Sequence, residues 1–317
     1  MTGPVLSIKG LSVSYAAIPI LNAVDIEAWP GEVIGIAGES GCGKSTLALA
    51  AMGLLSPAAH VTAGEIFFRG NDIAKLDAKS RRALRGRDMA MVFQDPMSAF
   101  NPVLTIGDQL SDYQHHLATP KTQRLQRAAE MLAKVGIADA AQRLSAFPHE
   151  LSGGMRQRVG IAATLLMNPS LLIADEPTTA LDVTLEAQII NLLRELRHTI
   201  NGAIIIITHH LGVIAQLCDR VYVMYAGEVV ETAPVDALFH APRHPYTRAL
   251  LACDPARLHN RADLLPAIPG ELPSRFAPGA GCLFRRRCAG AIDQCGQPQH
   301  PVQVGDKASA RCCRVAP

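Results

Sequence analysis

The chain has 317 residues, 49% of them hydrophobic and 18% charged, which is enough apolar material for a large core and excludes disorder over most of the length. The formal net charge is only +2, so no global field favours nucleic acid or an anionic membrane surface. No apolar run reaches the ~18 residues that span a bilayer, and the N-terminus lacks the pattern of a secretory signal. We expect a cytosolic protein with one large domain and an appendage, and no nucleic acid partner.

Two kinds of strand are predicted. Leu6–Tyr15, Ile20–Ala28 and Gly64–Arg69 alternate between polar and apolar residues and end in turn residues, which predicts an antiparallel sheet. Runs of the second kind are apolar throughout and separated by helical stretches: Val33–Ala37, Met89–Phe93, Leu171–Asp175, Ala203–Thr208 and Val221–Tyr225. Apolar strands that alternate with helices indicate a parallel sheet covered on both faces, so the predicted fold class is α/β.

Two other regions interrupt this pattern. Between Thr105 and His149 the apolar residues recur at helical spacing, at Leu125, Ala128, Leu132 and Val135, which predicts a helical insertion. After about Pro234 prolines accumulate, and five of the eight cysteines lie in the last 36 residues. We therefore expect a main domain at residues 1–235, with a helical subdomain at about 95–160, and a C-terminal appendage at residues 236–317 that builds little core of its own.

A phosphate-binding loop is predicted after the strand Val33–Ala37. Residues 38–46 fit G-x-x-x-x-G-K-[ST] between a strand and a helical run. The backbone N–H groups of such a loop, with the positive end of the helix dipole, form an anion site; a glycine-rich turn that binds nothing is the alternative. Lys44 is predicted to reach the β- and γ-phosphates and Ser45 to ligate Mg²⁺. The residues predicted to contact the nucleotide are Gly38, Ser40, Gly41, Cys42, Gly43, Lys44, Ser45 and Thr46. Cys42 is expected to pack, with an acidic thiol as the alternative.

Two carboxylates follow the apolar residues of the strand Leu171–Asp175. The carboxyl ends of parallel strands face the crevice where ligands of α/β proteins bind. We predict that Asp175 lies on the metal side and that Glu176 is the general base for an attacking water, against the alternative of an ordinary helix start. Ser152-Gly153-Gly154, just before a helix, predicts a second anion site.

In their order along the chain these motifs resemble the ATPase subunits of ABC transporters, over about residues 5–235. Gly38–Thr46 matches the Walker A motif, Leu151–Gln157 the signature and Leu171–Glu176 the Walker B motif. Further matches are Gln94 in the Q-loop, Ala180-Leu181-Asp182 in the D-loop and Thr208-His209 at the switch histidine. The resemblance implies a P-loop ATPase fold that uses ATP and Mg²⁺.

The resemblance also implies roles for these residues. Two subunits meet head to tail, and each ATP lies between the Walker A motif of one chain and the signature of the other. Gln94 senses the γ-phosphate or Mg²⁺ and lies where a membrane partner docks, whereas His209 holds the γ-phosphate and orients the water. His210 stands where the family usually has Asp, and it is the alternative candidate for the switch histidine. Tyr15 stacks on adenine, unless it is a surface tyrosine. The other residues implied at the nucleotide are Ser152, Gly153, Gly154, Gln157, Asp175 and Asp182.

Three further stretches indicate which branch of the family the chain resembles. Residues 93–102 and 244–251 resemble the ATPases of dipeptide, oligopeptide and nickel importers, and residues 268–282 resemble the tail of the peptide-importing members. This implies a peripheral ATPase at the cytoplasmic face of the bacterial inner membrane that energises import of dipeptides or oligopeptides. Its implied partners are two membrane permeases, a second homologous ATPase or another copy of this chain, and a periplasmic or lipid-anchored solute-binding protein. Nickel, a metallophore or another small solute is the alternative, because specificity resides in other chains.

The appendage carries a candidate metal site. Cys282, Cys288, Cys295 and Cys312 have five, six and sixteen residues between them, and in a reducing compartment such thiols favour metal ligation over disulfides. Their spacing leaves zinc and iron–sulfur open, and the similarity to peptide-importer tails favours a [4Fe–4S] cluster. Cys313 is an alternative fourth ligand, and unliganded cysteines are a further alternative. The charge of Arg285–Arg287 is predicted to offset the thiolates.

Overall fold

The structure, a computed structural model, describes residues 3–93, 100–178, 181–200, 202–254, 266–273 and 281–316. Its strands are β1 (Leu6–Tyr15), β2 (Ile18–Ala28), β3 (Val33–Ala37), β4 (Ala59–Phe68), β5 (Asn71–Asp72), β6 (Met89–Val92), β7 (Leu171–Asp175), β8 (Ala203–Ile207), β9 (Arg220–Tyr225), β10 (Glu228–Pro234), β11 (Val302–Gly305) and β12 (Ala308–Ala310). Its helices are α1 (Lys44–Ala51), α2 (Ala78–Leu84), α3 (Ile106–Asp112), α4 (Lys121–Lys134), α5 (Ala140–Arg143), α6 (Gly153–Leu166), α7 (Val183–Thr199), α8 (Leu211–Leu217), α9 (Val235–His240) and α10 (Pro245–Ala252). Across the described ranges, no helix combines the length and the hydropathy that a bilayer crossing requires.

The chain divides into two compact units. The first comprises Met1–Ala28, Val33–Ala74 and Ile207–Pro317, and the second comprises Trp29–Glu32 and Lys75–Ile206. Strands and helices alternate in both units, so the predicted α/β class is confirmed.

An antiparallel sheet forms the N-terminal part of the first unit, with strand order β2-β1-β4-β5. Strands β1 and β2 pair in the predicted alternating pattern, with Ile8 opposite Ile26, both buried. Strand β4 begins at Ala59, five residues before the predicted start, because its first half is exposed and carries no alternating apolar signal.

The other sheet strands of the first unit follow the order β11-β12-β10-β9-β3. Strands β3 and β9 are parallel, and β9 turns back into β10 through Ala226-Gly227, both of which have positive φ. Strand β12 pairs with β10, placing Ala310 opposite Glu231, so the C-terminal appendage extends this sheet. Its apolar side chains also share a core with β9: the buried members from the appendage are Leu238, Tyr246, Leu251, Phe284 and Ala308. The domain boundary at residue 235 stays a prediction.

The second unit combines buried strands with the predicted helical insertion. Its strands follow the order β8-β7-β6, with β6 and β7 parallel and fully buried. Helix α4 buries Ala128 and Leu132, two members of the predicted apolar stripe, and packs on α3 and α6. Gly136, at φ 76°, follows the helix in the left-handed conformation that favours glycine at a helix end.

Candidate nucleotide-binding site

The phosphate loop connects β3 to α1 and depends on its glycines. Gly38 has φ 153°, and a Cβ there would collide with the backbone oxygen of Met224. Gly43 caps α1 at φ 105°, and a Cβ there would lie 2.8 Å from Leu21 Cδ2. In the described part of this loop no side chain caps α1 and no acidic residue occupies its first turn. The first N–H groups of the helix are therefore open to an anion.

Lys44 lies folded back along the loop that precedes it. Its Nζ donates hydrogen bonds to the carbonyl oxygens of Gly38, at 2.7 Å, and Glu39, at 3.0 Å, and the side chain is buried. An ammonium group with carbonyl partners can exchange them for phosphate oxygens without leaving the loop. Ser45 and Ser40 are exposed beside it, and Thr46 is half-buried.

Cys42 packs inside the same loop. The thiol is buried, and burial raises its pKa, although the nearby Lys44 acts in the opposite direction. Burial therefore acts against an acidic thiol at this position, and the buried side chain lies where the packing interpretation expects it.

His209 lies at the same sheet edge as the phosphate loop. The N–H of Thr208 donates to the carbonyl of Ile36 at 3.3 Å, two residues before the loop begins. His209 and His210 are both exposed, with ring centroids 4.4 Å apart, and the N–H of His210 donates to Thr208 Oγ1 at the start of α8. Both imidazoles are accessible, so the choice of His209 as the switch stays a prediction.

Tyr15 ends β1, opposite Ile18 of β2 and Ala59 of β4, and is half-buried. The ring therefore has an accessible side at the end of the antiparallel sheet. Its stacking on adenine stays a prediction.

The predicted metal and base carboxylates lie at the end of β7. Asp175 is the buried last residue of that strand. Glu176 follows with φ 52°, a left-handed conformation that costs a non-glycine residue about 1–3 kcal/mol. Gln157 of α6 supports this turn, because its Nε2 donates to the carbonyl of Pro177 at 2.5 Å. Gln157 is buried and binds this backbone, whereas its predicted contact with the nucleotide stays untested.

The signature forms the open N-terminus of α6. Ser152 caps the helix, with its Oγ accepting the N–H of Met155 at 3.3 Å. Ser152 and Gly153 are exposed, and the space where a Gly153 side chain would stand holds no described atom within 4 Å. The N-terminus of α6 is therefore accessible, and the second anion site stays a prediction. Asp182 has a cap role of its own at α7, where Oδ1 accepts the N–H of Leu185 at 3.0 Å.

Two of the motif residues lie outside the described residues. These are Gln94 of the Q-loop and Ala180 of the D-loop; most of the stretch 93–102 does so too. The roles predicted for them rest on the sequence.

The cysteine-containing part of the C-terminal appendage is held together by hydrogen bonds between three segments. The N–H of Cys282 donates to the carbonyl of Cys295 at 2.8 Å, and Arg314 Nη1 donates to the carbonyl of Gly290 at 2.9 Å. Cys295 Sγ lies 3.5 Å from Cys313 Sγ. Burial raises the pKa of the Cys282 thiol to about 11, with smaller contributions from Cys295, Cys312 and Cys288.

These thiols do not form a site for a single metal ion. Within the described ranges, no group of three or more His, Cys, Asp or Glu side chains is arranged to hold such an ion. The predicted cluster ligands Cys282, Cys288, Cys295 and Cys312 therefore stay a prediction. One supporting expectation needs correction: Arg287 does not serve the thiols, because its guanidinium forms a two-pronged ion pair with Glu39 at 2.8 and 2.9 Å.

The stretch 244–251 also contacts the phosphate loop. His244 caps α10 through Nδ1, which accepts the N–H of Tyr246, and burial lowers the pKa of His244 to about 4. The hydroxyl of Tyr246 accepts the N–H of Glu39 at 2.9 Å. Glu39 lies within the predicted loop and Tyr246 within the stretch 244–251, but nothing in the sequence indicates that Tyr246 and Arg287 contact Glu39.

A glycine-capped loop between a buried strand and a helix, with a lysine at its end, defines the chain as a P-loop nucleotide-binding protein. The family described as ABC transporter matches residues 21–179, and the family described as oligopeptide/dipeptide transporter, C-terminal region, matches residues 230–295. The chain belongs to the ABC transporter family, and its enzyme class is ATPase.

Relatives and solved structures agree with this assignment. The dipeptide transport ATP-binding protein DppD of Escherichia coli is 46% identical, over 97% of this chain and 95% of its own length. The protein of the same name from Bacillus subtilis is 45% identical, over 92% of this chain and 88% of its own length. A dimeric ATP-binding cassette with bound ADP and phosphate superposes with a TM-score of 0.66 at 27% identity, covering 73% of this chain and 98% of the cassette. CbiO1 of Clostridium perfringens, part of an ABC transporter complex, superposes with a TM-score of 0.64 at 29% identity. The match covers 75% of this chain and 92% of CbiO1.

Proposed function

We propose that the chain is the ATP-hydrolysing subunit of a bacterial importer of dipeptides or oligopeptides. The observation that carries this proposal is the combination of two matches in one chain, the ABC transporter family and the oligopeptide/dipeptide transporter C-terminal region. Similarity to DppD extends over nearly the whole chain, so it includes the appendage as well as the nucleotide-binding part.

In this proposal the phosphate loop binds ATP and the carboxylates act on it. Lys44 contacts the β- and γ-phosphates, while Ser45, Gln94 and Asp175 hold Mg²⁺, which neutralises phosphate charge. The buried Glu176 accepts a proton from the attacking water. His209 holds the γ-phosphate, and Tyr15 stacks on adenine.

Each chain supplies two incomplete anion sites, the phosphate loop of the first unit and the exposed N-terminus of α6 in the second. ATP supplies the missing contacts when the loop of one subunit meets Ser152, Gly153 and Gly154 of another, so its binding favours the closed dimer. Asp182 and Gln157 act beside this junction. The dimer partner is a second homologous ATPase or another copy of this chain.

The dimer works at the cytoplasmic face of the inner membrane, bound to two permeases that receive solute from a periplasmic or lipid-anchored binding protein. Uptake of a labelled dipeptide into proteoliposomes that contain the whole transporter tests this function. We expect dipeptide to stimulate ATP hydrolysis, and Lys44→Ala to abolish both uptake and stimulation. Stimulation by nickel or a metallophore instead would replace the proposed solute class.

We also propose that the appendage holds a [4Fe–4S] cluster through Cys282, Cys288, Cys295 and Cys312. The donor chemistry fits, since five thiols lie between residues 282 and 313, on segments joined by hydrogen bonds. Burial raises the pKa of the Cys282 thiol, which must lose its proton to become a ligand, so loading is coupled to pH. When bound, the cluster acts as a structural staple or a redox sensor rather than in hydrolysis.

Protein purified without oxygen is expected to be brown and to carry about four irons per chain. Cys288→Ser should remove the iron, whereas the matched change Cys253→Ser should retain it, because Cys253, at the C-terminal end of α10, is not one of the candidate ligands. A parallel pair, Cys312→Ser and Cys313→Ser, identifies the fourth ligand. Stoichiometric zinc would replace the cluster with a zinc site, and absence of both metals would show that the cysteines are unliganded.

A further inference from the structure

Glu39 of the phosphate loop is held by the C-terminal appendage through two separate contacts. Its backbone N–H donates to the hydroxyl of Tyr246 at 2.9 Å. Its carboxylate receives both terminal nitrogens of Arg287, at 2.8 Å and 2.9 Å. The carbonyl of the same residue accepts a hydrogen bond from Lys44 Nζ. Glu39 therefore connects the appendage to the lysine that handles the phosphates.

Arg287 is rigidly placed for this contact. Its side chain is only 6% exposed, its Nε donates to the carbonyl of Pro269 at 2.8 Å, and a terminal nitrogen donates to that of Ile268 at 3.1 Å. The guanidinium also stacks near the ring of Tyr225, at 5.8 Å from its centroid. A planar guanidinium that satisfies a carboxylate with two parallel bonds gives both strength and orientation.

An aromatic cluster fixes the position of the segment of the C-terminal appendage that carries Arg287. Phe284 lies three residues before it, with ring centroids 5.2 Å from Tyr225 and 5.3 Å from Tyr246. Phe284 and both tyrosines are buried in the core shared by β9 and the appendage. The arginine and the tyrosine that contact Glu39 are therefore parts of one packed structure.

We propose that Arg287 and Tyr246 are positioning residues for ATP binding, and that the Arg287–Glu39 ion pair keeps a loop carboxylate from opposing the bound phosphates. A free carboxylate on this loop would repel a polyanionic ligand in an anion site. Paired with Arg287, it is neutralised and held in one orientation. The inference rests on the proposed ATPase function and adds that the appendage controls nucleotide affinity.

Affinity for MgATP, measured on the full-length chain with a fluorescent analogue, tests the proposal. We expect Arg287→Ala to raise Kd about tenfold, within the ~5–150-fold range of couplings between distinct sites. In the assembled transporter KM should rise similarly while kcat changes less than twofold. Arg286→Ala is the matched control, because Arg286 is an exposed neighbour in the same basic run, and its Kd should equal that of the wild type.

Removing the charge of Glu39 distinguishes the electrostatic role of Arg287 from an effect of lost side-chain packing. In the double variant Arg287→Ala/Glu39→Gln the carboxylate is gone, so Kd should return to within about twofold of the wild type. Arg287→Lys keeps the charge but loses the two-pronged geometry and should give an intermediate Kd. A double variant that binds as weakly as Arg287→Ala would overturn the electrostatic role, as would an unchanged Kd in both Arg287 variants.

Hydrogen exchange provides a readout that needs no nucleotide. Amides of residues 38–44 should exchange faster in Arg287→Ala than in the wild type or Arg286→Ala, because the loop loses an anchor. Equal exchange in all three proteins would show that the ion pair does not restrain the loop. If the wild type shows this restraint but no ATP-dependent transport, the proposed function fails and the positioning role stands.

Discussion

Replacing Glu176 by Gln is expected to lower ATP turnover by the assembled transporter about 10²–10⁴-fold, the range attributed to a lost general base. Gln has nearly the same shape as Glu, so the turn after β7, with its positive φ at this residue, should persist. Lys44 and Ser45 are the first residues of α1, which follows the phosphate loop, and should continue to bind nucleotide. The closed dimer should accumulate, because ATP still binds but is not hydrolysed.

Two measurements check this expectation. Steady-state phosphate release reports turnover, and size-exclusion chromatography with MgATP reports a dimer that persists in the variant and not in the wild type. Lys44→Ala serves as the contrasting change, because it should lose nucleotide binding and therefore dimerisation as well. Near-normal turnover in Glu176→Gln would remove Glu176 from the role of base.

The strands that could be predicted from the sequence are those whose signal is local. Strands β3 and β7 have the predicted bounds, because five consecutive buried residues give an unbroken apolar run. Strand β11 gave no such signal, since its four residues alternate between exposed and half-buried. Strand β12 pairs with β10 about eighty residues earlier, and no local pattern indicates such a pairing.

The same distinction applies to the candidate site. The phosphate loop could be predicted because its three glycines and Lys44 lie within seven residues, and each of these glycines has a positive φ that the local backbone requires. The Arg287–Glu39 pair joins residues 248 positions apart, so neither residue could be identified from its neighbours. In the sequence Arg287 stands beside Cys288, and this proximity predicts a role with the cysteines instead of a contact with Glu39.

Replacing Gly153 by Asp is expected to lower hydrolysis by the assembled transporter about 10²–10³-fold, the range observed when donors to a transition-state anion are lost. Gly153 is the first residue of α6, exposed, with open space where a side chain would stand, so Asp should fit without disturbing the helix. A carboxylate at a helix N-terminus occupies the position proposed for phosphate oxygens of an ATP bound to the other subunit.

Because the defect acts across the dimer, nucleotide affinity of the isolated Gly153→Asp chain should equal that of the wild type. Gly153→Ala provides the uncharged control and should retain more activity, since it adds a methyl group without competing for the anion site. In transporters built from two copies of this chain, mixing Gly153→Asp with Lys44→Ala restores one complete site, formed by the loop of the first and the signature of the second. Activity should then recover toward roughly a quarter of the wild type, because about half of the randomly paired dimers are mixed and each of these has one complete site of two. An ATP site contained within one chain would give no recovery.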